Sequence, residues 1–312
     1  MDRFATGMLD VGDGHRVYWE CCGNPRGLPV LYFHGGPGSG ATPGQRRFFD
    51  SERHLAVLFD QRGSGRSRPL ASEPDADLAV NTTHHLIADA EALREHLGVE
   101  RWAAILGLSW GSTLGLAYAQ AHRDRVAGVV LGLVTTTSRR EVEWVTEGVG
   151  RIFPEQWHRF AEAVPERLRH LRLVDAYAEL LFDPDPAVRE HAAAEWCAWE
   201  DAHVSLTPGW TPSLRYEDPE FRLRFARLVT HYWRHAAFLE EEQLLRDAPT
   251  LDGVPGVLIH GRWDVSSPLE TPWRLSRGWA TSRLVVLDDA GHGGGDSLTA
   301  AITGALRDLT SA

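Results

Sequence analysis

The sequence predicts an α/β protein: a mostly parallel sheet with helices on both faces, interrupted by an inserted all-helical segment. Three observations carry this. Short apolar runs alternate with helix-like stretches through residue 137 and again from residue 243. Between them, residues 138–242 lose every strand-like run and read as amphipathic helices. Finally, the apolar run Ala103–Leu106 breaks into a helix-like stretch, Thr113 to His122, through Gly107-Leu108-Ser109-Trp110-Gly111. A serine flanked by glycines on a sharp strand-to-helix turn has its hydroxyl exposed at the corner. The expected division is a catalytic core of 1–137 and 243–312, and a helical cap of 138–242.

The elements follow in order. Met8–Val11 and Arg16–Cys22 read as strands around an Asp13-Gly14 turn. Pro29–Phe33 is a short buried strand that ends in the loop His34-Gly35-Gly36-Pro37-Gly38. Leu55–Phe59 is a strand followed by Asp60-Gln61-Arg62-Gly63-Ser64-Gly65-Arg66-Ser67. Asn81 is placed to cap a helix from Thr82 to Leu97 whose buried face is Leu86, Ala90, Leu93 and Leu97. Val126–Leu133 is the strand after the serine turn. Five helical stretches fill the insertion: Arg140–Gly148, Pro154–Ala163, Leu173–Leu181, Ala187–Asp201 and Glu220–Phe238. Strands resume at Val257–His260 and Leu284–Leu287, and a helix from Leu298 to Leu309 closes the chain.

Composition narrows the chemistry. The chain has 312 residues, 43% hydrophobic and 24% charged, which suits one large domain with an insertion. A formal net charge of -11 argues against nucleic acid or an anionic membrane as a partner. The three cysteines, Cys21, Cys22 and Cys197, have no metal-ligand spacing and no even disulfide framework. With no signal-peptide pattern after Met1 and no apolar run of transmembrane length, the expected location is cytoplasmic. All 32 Lys+Arg residues are arginine, which excludes Schiff-base lysines, Ser–Lys dyads and a P-loop lysine. No cofactor or metal is expected. His231 and His235 have helical i, i+4 spacing, but no zincin glutamate accompanies them and packing is the simpler reading.

Acyl transfer fits the remaining motifs. A nucleophilic serine at such a turn needs two backbone N–H donors for the oxyanion. One comes from the residue after it, Trp110, and one from the Gly-rich loop after an early strand: Gly36, with Gly35 as the alternative. Asp264 lies just past a late strand, and His292 lies in a glycine-flanked loop after the last strand. The order Ser109, Asp264, His292 is that of an α/β-hydrolase triad. Asp288 and Asp289 sit so near His292 that its loop would have to fold sharply back, and Asp60 precedes the serine, where an acid tying down its loop through arginine is expected.

Taken together, His34-Gly-Gly-Pro-Gly38, Asp60 to Ser67, Asn81-Thr-Thr83 with Asp89 and Glu91, and Gly107-Leu-Ser-Trp-Gly-Ser-Thr113 resemble the proline iminopeptidases. The insertion is similar too, through Arg139-Arg140-Glu-x-Glu-Trp144, Phe153-Pro154, Trp196-x-x-Trp199-Glu200 and His231-Tyr232. The resemblance implies a cap over the strand ends and an exopeptidase that removes N-terminal proline. Cap glutamates would hold the substrate amine and an apolar pocket would hold its ring. Glu200 matches one such glutamate, and Gly35, Trp199 and Tyr232 join it as expected substrate-binding residues. The chain departs from the family at Val229, where a second glutamate stands, and at Ser64, where cysteine is frequent. Asp201, Glu143 and Glu147 are the acids available to replace the missing carboxylate. The departure keeps a second reading open: an amidase, esterase or acyl-transfer enzyme whose small substrate lacks a free prolyl amine.

Overall fold

A computed structural model describes residues 1–207 and 209–311. Its centre is an eight-stranded sheet: β1 (Arg3–Asp10), β2 (Arg16–Gly23), β3 (Leu28–Phe33), β4 (His54–Phe59), β5 (Ala104–Leu108), β6 (Val129–Gly132), β7 (Gly256–Gly261) and β8 (Ser282–Leu287). The spatial order is β1-β2-β4-β3-β5-β6-β7-β8. β2 pairs antiparallel with β1 and β4, and every pairing from β4 to β8 is parallel. The central strands are apolar on both faces, as strands covered on two sides must be.

Alternate residues of each strand feed two different cores. Leu31, Phe33, Ile105, Leu131 and Leu258 face one way. There they meet α1 (Thr83–His96), α2 (Trp110–Ala121), α8 (Gln243–Arg246) and α9 (Glu270–Gly278), through Leu86, Leu114, Leu244 and Leu275. Val30, Tyr32, Leu106, Val130 and Ile259 face the other way, onto Leu298, Ile302 and Leu306 of α10 (Asp296–Leu309). This period-two split puts helices on both faces of the sheet.

Four local differences from the sequence reading have physical causes. β1 begins at Arg3 rather than Met8, because an edge strand that is mostly exposed has a weak apolar signature. β6 is shorter than Val126–Leu133: it begins at Val129, with Val126 forming an isolated bridge to Trp102, and ends at Gly132, where Leu133 turns the chain with a φ of 52°. The cap of α1 is Thr82, whose side chain accepts the His85 N–H; Asn81 instead donates to the Arg62 carbonyl (3.2 Å) and accepts from the Tyr232 hydroxyl. Helices α8 and α9 have no counterpart in the sequence reading.

Between β6 and α8 lie five α-helices: α3 (Arg139–Thr146), α4 (Pro154–Glu162), α5 (Leu173–Leu180), α6 (Pro186–Val204) and α7 (Pro219–Arg234). They surround their own apolar core, in which Phe160 stacks on Tyr177 and Trp199 and packs edge-on to Trp196. Tyr232 and Leu228 of α7 belong instead to the sheet-side core, so α7 joins the insert to the sheet domain. Cys21, Cys22 and Cys197 are buried and unpaired. Among the described residues, no helix is long and apolar enough to cross a membrane.

Candidate active site

The corner between β5 and α2 is tightly constrained. Ser109 sits at φ 56° and ψ -125°, a conformation that exposes its side chain at the cost of strain. The glycines permit the corner: a Cβ on Gly107 would strike the Gly111 carbonyl, and one on Gly111 would strike the carbonyl of Phe33. The chain therefore crosses from strand to helix with backbone against backbone.

Ser109 Oγ lies 2.9 Å from His292 Nε2, and His292 Nδ1 lies 2.7 Å from Asp264 Oδ2. A carboxylate can only accept, so the imidazole proton resides on Nδ1 and the Nε2 lone pair faces the serine hydroxyl. Asp264 is fully enclosed. Its Oδ1 accepts the Ser267 N–H at 3.0 Å, and His260 Nε2 lies 3.7 Å from its Oδ2. Burial alone would raise the Asp264 carboxyl, but His292, His260 and the two hydrogen bonds outweigh it and hold it below its ordinary value. Burial likewise works to lower His292, yet the Asp264 charge and hydrogen bond, with a contribution from Glu200, carry it above its ordinary value. Asp288 is exposed and pairs with Arg262, away from this chain of contacts.

Gly36 and Trp110 both line the cavity in front of Ser109. Trp110 is the first residue of α2, where N–H groups have no intrahelical acceptor. Gln61 ties the two loops together: its amide donates to the His34 carbonyl (3.0 Å) and its oxygen accepts the Trp110 indole N–H (2.8 Å). Asp60 does related work. It accepts from the Ala41 N–H at 2.7 Å and from the Arg66 N–H and Nε at 2.8 Å, binding the loop after β3 to the loop after β4. Gly35 packs behind the serine: a Cβ there would stand 3.0 Å from the Leu108 carbonyl and 3.4 Å from Ser109 Cβ.

The cavity encloses about 480 Å³ of empty space, part of it continuous with solvent. Its lining includes Ser109 and His292 and, from the insert, Val142, Val145, Glu200, His203 and Trp233. Glu200 is 9% exposed and its Oε1 accepts the Trp196 indole N–H at 3.2 Å. Trp199 and Tyr232, expected to contact substrate, are not among the lining residues. Trp199 donates its indole N–H to the Val145 carbonyl (3.0 Å) and stacks on Phe160 inside the insert. Tyr232 lies behind Trp110, 4.5 Å between ring centroids, with its hydroxyl on Asn81. Trp233 takes the place at the wall.

The replacement acids also lie elsewhere. Asp201 accepts the Ser213 N–H at 3.2 Å, and Glu143 and Glu147 border a separate surface hollow with Arg172. Val229 is fully buried in the insert core. Glu141 does line the cavity, but its Oε2 accepts from the Thr136 N–H (2.9 Å) and hydroxyl (2.6 Å), and its Oε1 from the Thr271 hydroxyl (2.7 Å). His203, which the sequence reading passes over, completes the wall beside Glu200. Its one sequence signal is the i, i+3 spacing from Glu200, which puts both on one helix face.

A serine on a strained strand-to-helix corner, a histidine and an acid from the loops after the last two strands, and this sheet order define an α/β hydrolase. Residues 29–295 match the family model described as alpha/beta hydrolase fold, and the chain belongs to that family. It is 52% identical over 299 residues to the probable proline iminopeptidase of Streptomyces coelicolor, covering 95% of this chain and 92% of that one. With the proline iminopeptidase of Xylella fastidiosa (strain Temecula1) it shares 45% identity over 291 residues, 93% and 91% of the two chains. The crystal structure of proline iminopeptidase from Mycobacterium smegmatis superposes with a TM-score of 0.68 over 98% of this chain and 99% of that one; at 19% identity this likeness speaks to the fold. The chain is a hydrolase of the proline iminopeptidase family.

Proposed function

We propose that this enzyme releases N-terminal proline from small peptides or amides through an acyl-enzyme on Ser109. The observation that carries the reading is the placement of Glu200. Its carboxylate lines the same cavity as Ser109 and His292. A buried ammonium needs an anionic partner to offset its desolvation, and a carboxylate there suits an N-terminal amine one residue from the scissile bond.

In this mechanism His292 Nε2 takes the Ser109 proton as Oγ attacks the prolyl carbonyl. Asp264 holds the Nδ1–H tautomer and stabilises the imidazolium. The N–H groups of Gly36 and Trp110 receive the oxyanion, and His292 returns the proton to the leaving amine. Water, activated by the same imidazole, then releases proline. Residues 138–242 act as a cap that encloses the amine end of the substrate, and the reaction runs in the cytoplasm without metal or cofactor.

A second reading has one observation in its favour: Val229 leaves the cavity with Glu200 as its one carboxylate not already engaged by several donors. It makes the substrate an amide or ester without a prolyl amine. Three chromogenic substrates separate the two: free-amine proline anilide, N-blocked proline anilide and a simple acyl ester. Preference for the free amine is expected, with turnover abolished in a folded Ser109→Ala variant. Equal or better turnover of the blocked amide or ester sinks the aminopeptidase reading, and activity retained without the serine hydroxyl sinks the mechanism.

A further inference from the structure

His203 stands one turn beyond Glu200 on α6, is 3% exposed, and lines the cavity that holds Ser109. Its Nδ1 is 2.8 Å from Ser266 Oγ, and the Ser266 hydroxyl donates to the carbonyl of His203 itself at 3.0 Å. A hydroxyl has a single hydrogen, and this one is spent on the carbonyl. Ser266 Oγ is therefore the acceptor towards the ring, so Nδ1 carries a proton; in the imidazole form that leaves a bare lone pair on Nε2. That atom is buried without a hydrogen-bond partner. Glu200 Oε2, itself an acceptor, lies 3.4 Å from it. Glu200 Oε1 is occupied by the Trp196 indole N–H, which leaves Oε2 free. Trp199 packs edge-on against the imidazole, 5.7 Å between centroids, and fixes its plane.

Two free acceptors side by side in an enclosed site are complementary to a group with two donors and a positive charge. We propose that Glu200 Oε2 and His203 Nε2 together bind a secondary ammonium, one N–H to each, with Glu200 supplying the charge and His203 the second hydrogen bond. The inference rests on the aminopeptidase reading above and deepens it. The amine of an N-terminal proline has two N–H bonds when protonated, the number this pair accepts. A primary ammonium brings a third N–H, for which the pair has no acceptor. His203 is thus a specificity-determining residue for the imino terminus. It supplies by a neutral ring what residue 229, a valine turned into the insert core, does not.

The test is a selectivity ratio: kcat/KM for L-prolyl p-nitroanilide over that for cyclopentanecarbonyl p-nitroanilide, which keeps the ring and lacks the amine. His203→Asn retains an amide that reaches Ser266 and removes the acceptor at the Nε2 position. His203→Gln restores an amide oxygen near that position. A hydrogen bond to a charged group sets the expected effect: the ratio falls about 10- to 100-fold in His203→Asn, mainly through KM, and recovers in part in His203→Gln. An unchanged ratio, whether both substrates lose equally or neither loses, overturns the proposal. So does a rise in prolyl turnover, which would mean a protonated ring had been blocking Glu200.

Wild-type enzyme gives an independent reading should both variants misfold. N-methylprolyl anilide has one N–H and should be turned over at least about tenfold less efficiently than prolyl anilide; equal turnover overturns the two-acceptor pair. The parent reading fails separately. If wild type handles the cyclopentanecarbonyl and prolyl substrates alike, the aminopeptidase function falls and the amine pair with it. If wild type prefers the prolyl substrate and His203→Asn keeps that preference, the pair alone falls.

Discussion

Replacing Asp264 with asparagine changes one atom pair and reverses the proton order of the site. Asp264 Oδ1 accepts the Ser267 N–H and Oδ2 accepts His292 Nδ1–H. An asparagine that keeps its oxygen on Ser267 turns its NH2 toward His292. The ring must then accept at Nδ1 and carry its proton on Nε2, facing Ser109, where it is no longer a base. The flipped amide restores the working tautomer but sets NH2 against the Ser267 N–H, orphaning two buried donors at about 2–4 kcal/mol. At about 1.36 kcal/mol per tenfold, that alone lowers the rate roughly 30- to 900-fold. Loss of the negative charge opposite the imidazolium brings the expected fall in kcat to about 10⁴. The assay is steady-state hydrolysis of proline anilide, alongside thermal melting to show that the variant folds. Asp288→Asn is the companion variant. Its carboxylate is exposed on Arg262, and it should stay within about twofold of wild type. A loss below tenfold in folded Asp264→Asn, or an equal loss in Asp288→Asn, refutes the assignment of the acid.

The acid limb of kcat/KM reports the histidine that must be neutral to act as a base. His292 is held above its ordinary value of 6.5, so activity should fall away as pH drops through a point above that value. Because Glu200 contributes to the upward shift, Glu200→Gln should move the limb toward lower pH while raising KM for proline anilide; a limb that stays put or moves up contradicts the placement of that charge. Gln61→Leu strands the His34 carbonyl and the Trp110 indole N–H in a dry interior. It should cost about 2–4 kcal/mol in a denaturant titration and lower kcat more than it raises KM, and unchanged stability and kcat would show that Gln61 does not hold the two oxyanion loops together.

What the sequence revealed follows from how local each signal is. The serine corner was legible because strand, glycines, serine and helix are contiguous, and the close approach of Gly107 and Gly111 to other backbone leaves no alternative residues. The late aspartate and histidine were legible from their order after apolar runs. The cavity wall was not. Helix α6 buries Ala192, Trp196, Cys197, Trp199 and Glu200 around much of its circumference, so periodicity alone does not separate the face toward the insert core from the face toward the serine. Trp199 and Glu200, adjacent in sequence, part ways on this point. Tyr232 and Trp233 do the same on α7. Asn81 misled for a related reason: a residue type suited to capping is equally suited to bridging Arg62 and Tyr232, and Thr82 beside it caps as well.

The insert is more than a cover, and its long-range contacts explain why. The Trp144 indole N–H donates to the Val265 carbonyl at 2.7 Å, and His203 engages Ser266, so two insert helices grip the residues directly after Asp264. Thr207 Oγ1 accepts the Gly293 N–H at 3.0 Å, next to His292. Gly291 leaves no room for a Cβ against the Leu206 carbonyl. The acid loop and the histidine loop are thus each tied to residues between positions 144 and 207. The same α6 carries Glu200 into the cavity and, through His203, touches the loop that carries the acid. In the proposed mechanism, recognition of the substrate amine and alignment of the triad therefore share one helix. A shift of α6 that loosens the amine site also releases Ser266, the residue directly before the Ser267 N–H that holds Asp264. A change at His203 that loses Ser266 is consequently expected to reach the chemical step through this contact, whereas one that keeps it, as His203→Asn does, is expected to act on binding.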